Sequence, residues 1–219
     1  MRRIRRSLAT IFAFFLCALS ATLSAQTALQ TFASADGTFQ FKYSELLVRC
    51  MEQKHEEGNP GLWIPANSCE SYTPVCDYPG SQGNRTLVCF AYPKDKFKDY
   101  DTFEAAAFSV AEVKGALTQK ECLSGSPDWI IDPGESGKIA DINHEKFKVF
   151  EADGVGMGHI LDGKVYRNFH RNTCYELSIR MTSTNPGVFD RPAKELTQKD
   201  WDEVRDRLEQ ALDSFRFLK

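Results

Sequence analysis

The chain is short of almost everything that would announce a reaction. It has no C-x-x-C pair, and its closest cysteines, Cys69 and Cys76, leave six residues between them, so the tight ligand pairs of a structural zinc site are missing. There are only four histidines, and His55 sits in Glu52-Gln53-Lys54-His55-Glu56-Glu57 without the second histidine of an H-E-x-x-H helix. Ser124-Gly125-Ser126 lacks the flanking glycines and the strand-to-helix setting of a nucleophile elbow. No metal, no cofactor and no catalytic residue are therefore expected. Repeats, low-complexity segments and linkers are also missing, which leaves no place to divide a second domain.

Positive charge is scarce once the N-terminus is set apart. Arg2, Arg3, Arg5 and Arg6 precede an apolar run from Leu8 to Leu19, and small residues follow at Ala21, Ser24 and Ala25. That order is the one of a secretory signal peptide, expected over residues 1–25. The run is too short for the ~20 residues a spanning helix needs, so contact with a membrane is expected only during export. Removing it takes four arginines and no acids from 27 basic and 30 acidic residues, which leaves 23 against 30 and a net charge of −7. Such a balance disfavours nucleic acid and anionic lipid as partners. The 26–219 remainder has the length of a single globular domain, and the thirteen of the chain's sixteen Phe that it keeps supply much of its apolar area.

Cysteine usage agrees with an oxidising compartment. Cys17 leaves with the signal, and the six that stay, Cys50, Cys69, Cys76, Cys89, Cys122 and Cys174, form an even set. Closeness in sequence suggests Cys69–Cys76, which would tie the Pro- and Gly-punctuated stretch 52–86. The predicted strands suggest Cys122–Cys174, and Cys50–Cys89 follows by exclusion.

The secondary-structure pattern is α+β. Phe39, Phe41 and Tyr43 alternate with polar residues as in a half-buried strand, and 87–92 is apolar on both faces. Residues 106–113 read as a strand in spite of three alanines, and Thr118-Gln119-Lys120-Glu121 spells the start of a short helix carrying Cys122. Between 138 and 182, short apolar segments are separated by Asn143-His144, Asp153-Gly154, Asp162-Gly163 and Asn172, which predicts an antiparallel meander. After Asn185-Pro186-Gly187, Thr197 and Asp200 cap an amphipathic helix whose stripe is Trp201, Val204, Leu208, Ala211 and Leu212. The expected fold is thus an antiparallel meander sheet packed by a C-terminal amphipathic helix and stapled by disulfides.

The opening Asp36-Gly37-Thr38-Phe39-Gln40-Phe41-Lys42-Tyr43, the meander, and a C-terminal helix ending in Asp213-Ser214-Phe215-Arg216-Phe217 resemble the exported PsbP/Mog1-like α/β/α sandwich proteins. The resemblance implies an antiparallel sheet flanked by helices, in a group used mostly as binding, assembly or accessory modules. The cysteine-rich 50–89 region departs from that pattern, and no functional residue carries over.

The remaining candidates have bland readings. A two-residue Asp162-Gly163 hairpin would set His159 opposite Tyr166 and His170 opposite Val155, about 13 Å apart at ~3.3 Å per residue, too far to share an ion. His144 reads as a turn residue. Gly154, Gly156 and Gly158 lie on a predicted strand, where they suggest a twist, a bulge or a close approach rather than a phosphate cradle. Asn84-Arg85-Thr86 is a glycosylation sequon that would mark a surface loop. The expectation is a non-enzymatic extracytoplasmic module of a bacterial envelope, periplasmic or secreted, that binds an unknown protein or small-molecule partner or contributes to envelope assembly. The alternatives are a small-molecule or lipid carrier with a cavity between sheet and helix, and a secreted hydrolase.

Overall fold

A computed structural model describes residues 28–50, 76, 84–124 and 138–218. The signal segment, Cys69 and His55 lie outside the described residues. The strands are β1 (Leu29–Ala33), β2 (Phe39–Ser44), β3 (Val48–Cys50), β4 (Asn84–Ala91), β5 (Phe103–Val113), β6 (Lys138–Ile142), β7 (Glu145–Glu151), β8 (Gly154–Gly156), β9 (His159–His170), β10 (Thr173–Thr184) and β11 (Arg216–Phe217). Among the described residues there are also two α-helices, α1 (Gln119–Ser124) and α2 (Gln198–Asp213), and two short 3-10 turns, Lys94–Phe97 and Pro186–Val188. The architecture is α+β: an antiparallel sheet in the order β3-β4-β5-β10-β9-β7-β6, with β8 added on β9, and a small β1-β2-β11 sheet.

Three tight turns build the meander. Asn143-His144, Met157-Gly158 and Arg171-Asn172 each place two successive residues at positive φ between paired strands. Such two-residue turns match the right-handed twist of the flanking strands. His144 is accordingly a turn residue, and Gly158 serves the turn rather than a bare strand face.

Asp162-Gly163 is not a turn. Both residues lie inside β9, opposite Met181 and Arg180 of β10. β9 pairs with β10 along its whole length from His159 to His170, so one uninterrupted ladder replaces the hairpin that the dipeptide suggested. Glycine is required at 163 for another reason: a Cβ there would stand 2.4 Å from the Ile179 carbonyl oxygen. As a result His159 and His170 occupy opposite ends of one strand, about 36 Å apart at ~3.3 Å per residue, rather than facing ends of a hairpin.

The core forms where α2 and the small sheet cover one face of the large sheet. Thr197 caps α2 reciprocally with Asp200, its hydroxyl accepting from Asp200 N–H at 3.2 Å and the Asp200 carboxylate accepting from Thr197 N–H at 2.9 Å. Val204, Leu208, Ala211 and Leu212 of α2 are buried against Phe108 and Val110 of β5 and Leu177, Ile179 and Met181 of β10. Phe39 and Phe41 of β2 are buried in the same cluster, Phe41 meeting Phe90 and Phe108 edge to face with ring centroids 5.5 and 5.0 Å apart.

Two disulfides are described. Cys122 on α1 is bonded to Cys174 on β10 (Cα–Cα 5.5 Å), which clips the short helix to the sheet. Cys76 is bonded to Cys89 on β4 (Cα–Cα 5.7 Å), and this overturns the expected pairs Cys69–Cys76 and Cys50–Cys89 together. Closeness in sequence was a poor guide: the Thr86 hydroxyl of β4 donates to the Cys76 carbonyl oxygen at 3.2 Å, so the chain at 76 is laid against β4, within reach of Cys89. Cys50 is itself disulfide-bonded, although it stands directly opposite Cys89 in the β3–β4 register.

Candidate functional site

The two faces of the large sheet are built from different chemistry, and strand alternation explains how. Along β10, Tyr175, Leu177, Ile179 and Met181 turn to the α2 side, so Glu176, Ser178, Arg180 and Thr182 turn to the other. These four polar residues are all buried. Their register partners on β5 are small: Ala111, Ser109, Ala107 and Ala105. Gly163 of β9 stands beside Arg180 on the other flank. Small neighbours leave room for long polar side chains to lie down within the layer.

Buried charge is costly unless paired, and here it is paired. Arg167 on β9 faces Glu176 across the β9–β10 register, and its Nε and Nη2 both donate to Glu176 Oε2 at 2.9 Å. The Asn84 side chain donates to Glu176 Oε1 at 3.4 Å, which puts the sequon asparagine at the start of β4 rather than in a surface loop. Ser109 and Ser178 share a hydrogen bond of 2.7 Å, and the Thr182 hydroxyl donates to the Ala105 carbonyl oxygen.

At one end of this layer a β-bulge re-aims a side chain. Thr182 pairs with Ala105 and the next residue, Ser183, with Phe103, so Glu104 is the extra residue of β5. The bulge brings the Glu104 carboxylate onto the cross-strand pair His159 and Thr184. Its Oε1 accepts from the Thr184 hydroxyl at 2.6 Å and lies 2.5 Å from His159 Nδ1. A carboxylate on Nδ1 orients an imidazole. The Thr184 hydroxyl gives its only proton to Glu104, so it is committed as a donor to the carboxylate rather than aligned for activation by the imidazole.

This cluster underlies an exposed apolar tip. The hairpin β8–Met157-Gly158–β9 extends past it with Val155 71% and Met157 98% exposed. Val188, 55% exposed on the Pro186–Val188 turn, lies alongside, because a Cβ on Gly158 would come within 2.9 Å of its methyl group. The backbone is held: Asn185 N–H donates to the Gly158 carbonyl at 2.7 Å, and Gly187 N–H donates to the Asn185 side chain at 2.9 Å.

Other candidates are placed as follows. The His170 ring stacks on Phe217 with centroids 3.9 Å apart, and burial holds its pKa below the ordinary histidine value. Asp101, one of the acidic residues near 100, is gripped by Arg191 through two hydrogen bonds and by Lys194 N–H, which lower its pKa to about 2. Ser124 ends α1, and the rest of Ser124-Gly125-Ser126 lies outside the described residues. The space between the sheet and α2, where a carrier would hold its cargo, is filled by Phe41, Phe108, Leu177, Leu208 and Phe215, each 1% exposed or less. Hollows near α2 open at its exterior or its margins, for example one of about 180 Å³ bordered by Ile160, Met181, Trp201 and Arg205. Sequence reasoning missed the Glu104 cluster, because a bulge leaves no mark in a hydrophobic pattern. It also missed the polar layer, because alternation shows which residues share a face and not whether that face is covered.

No family model matches the chain, and no curated protein does. Solved structures do. One from Bacteroides thetaiotaomicron is 12% identical with a TM-score of 0.44 over 87% of this chain, which spans 48% of that one. Cyanobacterial PsbP from Synechocystis is 13% identical with a TM-score of 0.39, the match covering 91% of this chain and 98% of that one. LpqN, described as involved in cell envelope biogenesis of Mycobacterium tuberculosis, is 11% identical with a TM-score of 0.38, covering 77% and 91%.

Proposed function

We propose that this chain is a non-enzymatic extracytoplasmic module that docks a protein partner on the tip formed by Val155, Met157 and Val188. One observation carries the reading: a methionine 98% exposed at the end of a hydrogen-bonded hairpin, with two further exposed aliphatic residues beside it. Isolated exposed apolar residues are ordinary on a protein surface, whereas a contiguous group on a held backbone is the usual form of an interaction site. Methionine suits it, since its flexible thioether adapts to an apolar partner surface. Two disulfides support an oxidising location. Glu104 is bonded to His159 and Thr184, Glu176 to Arg167 and Asn84, and Ser109 to Ser178, which is the arrangement of a scaffold.

The test is site-specific photo-crosslinking in the native envelope. A photoreactive residue at position 157 is expected to give a discrete protein adduct, one at exposed position 206 none, and Val188→Asp is expected to abolish the first without changing the melting temperature. No adduct from 157, or the same adducts from both positions with no effect of Val188→Asp, would overturn the assignment.

A further inference from the structure

We infer that Cys50, Cys76 and Cys89 form a thiol–disulfide exchange site, in which opening the bond of Cys50 by an external dithiol transfers the Cys76–Cys89 bond to Cys50–Cys89. The three sulfur atoms lie within 4.8 Å of one another, and all three residues are buried. Two different bonds end in this one cluster, Cys76–Cys89 and the bond of Cys50. With every sulfur already bonded, the group lacks the thiolates that a metal ion would require, and exchange is the chemistry left to it.

Register makes the alternative bond available without moving a strand. Cys50 and Cys89 are direct partners on antiparallel β3 and β4. Opposed residues of such a pair have Cα atoms about 4.5–5.5 Å apart, inside the range a disulfide spans. Among the described residues, the apolar side chains that cluster with these cysteines are Ala91, Ala105, Ala107 and Val48, all small enough to leave room for a new pairing.

The electrons balance with one dithiol. Its first thiolate attacks the cysteine bonded to Cys50, and Cys50 Sγ leaves as a thiolate; its second thiol resolves the mixed disulfide and the reagent departs as a cyclic disulfide. The Cys50 thiolate attacks Cys89 Sγ, the Cys50–Cys89 bond forms, the Cys76–Cys89 bond breaks, and Cys76 leaves as a thiolate that takes up a proton. Two electrons have entered, and two bonds have become one. The outcome is directional: β3 stays clipped to β4, while Cys76 loses its covalent tie to β4 and keeps the hydrogen bond from Thr86 to its carbonyl.

The exported protein is treated with less than one equivalent of dithiothreitol under native conditions, quenched in acid, alkylated, and mapped as non-reduced peptides. Molecules that have lost one bond are expected to carry a Cys50–Cys89 linkage with Cys76 alkylated, and Cys122–Cys174 intact. The same treatment in denaturant should spread the pairing over several isomers, which separates exchange in the folded site from general scrambling. If singly reduced molecules retain Cys76–Cys89 with Cys50 alkylated, or carry both Cys76 and Cys89 alkylated, the inference fails.

Discussion

Replacing Glu176 by alanine should be among the most damaging single changes in this protein, and the damage should be reversible by a second substitution. The Glu176 side chain is 2% exposed and that of Arg167 7%, and Oε2 accepts from two nitrogens of the guanidinium. Alanine removes the carboxylate and takes from the buried guanidinium the oxygen that two of its nitrogens share, beside Lys148, its register partner on β7. Breaking such a pair from one side costs about 3–5 kcal/mol. Glu176→Gln keeps an acceptor and loses the charge, and should cost about 2 kcal/mol, within the range of hydrogen bonds to charged groups. Arg167→Met with Glu176→Leu removes both charges and should return to within about 1 kcal/mol of the parent, because the desolvation penalty of the pair goes with it. Urea denaturation with the disulfides intact reads all three: at a slope of roughly 2 kcal/mol per molar, alanine moves the midpoint down by about 2 M. A loss below ~1 kcal/mol for Glu176→Ala, or a double variant as unstable as the sum of its single changes, would refute a buried, mutually dependent pair.

Leu208→Ala should cost about 2–5 kcal/mol by the same assay, since Leu208 is fully buried in the middle of the α2 stripe; a loss under ~1 kcal/mol would mean that the stripe does not carry the packing. Gly163→Ala should destabilise by roughly 1–3 kcal/mol through its clash with the Ile179 carbonyl, whereas Gly156→Ala, with nothing within 4 Å of the new Cβ, should stay within about 0.5 kcal/mol. Asp101 is held at about pKa 2 by Arg191 and Lys194, below its ordinary value, so its contribution is present above the unfolded pKa near 3.8 and is lost as pH falls through about 2. Asp101→Asn should therefore flatten the acid limb of the stability curve between about pH 4 and 2, and an unchanged limb would count against the Arg191 grip. N-terminal sequencing of the exported form should start near Gln26, and a start at Met1 would identify an uncleaved anchor.

Where the sequence was legible, local chemistry and the final structure ask for the same thing. Thr197 and Asp200 spell a reciprocal cap, and both hydrogen bonds form. Asn143-His144 and Asn172 tolerate positive φ, and the chain turns there. Asp162-Gly163 makes an equally good local turn, but the ladder between β9 and β10 is worth more than one hairpin, and the glycine is used for the close approach of the Ile179 carbonyl. The cysteine pairs were misread for a related reason. Closeness along the chain favours Cys69–Cys76 through loop entropy, while the bond that forms depends on where the chain at 76 is laid against β4.

The polar layer exposes a deeper limit of pattern reading. Period-2 alternation says that Glu176, Ser178, Arg180 and Thr182 share a face, and it assigns polar faces to water. Nothing in the alternation separates a solvated face from a covered one. The composition of the neighbouring strand does carry a hint: a solvent-facing strand has no need of Ala105, Ala107, Ser109 and Ala111 in a row, since exposed positions favour larger β-formers. Small residues opposite long charged ones make sense only where volume is limited, that is, where the face is closed and Arg167, Glu176 and Arg180 must fit within it. Ala105 and Ala107, two of the three alanines that made residues 105–107 look helical, were therefore a packing requirement of this layer, whereas Ala106 faces the α2 core. They were the one sign in the sequence that both faces of β5 are buried.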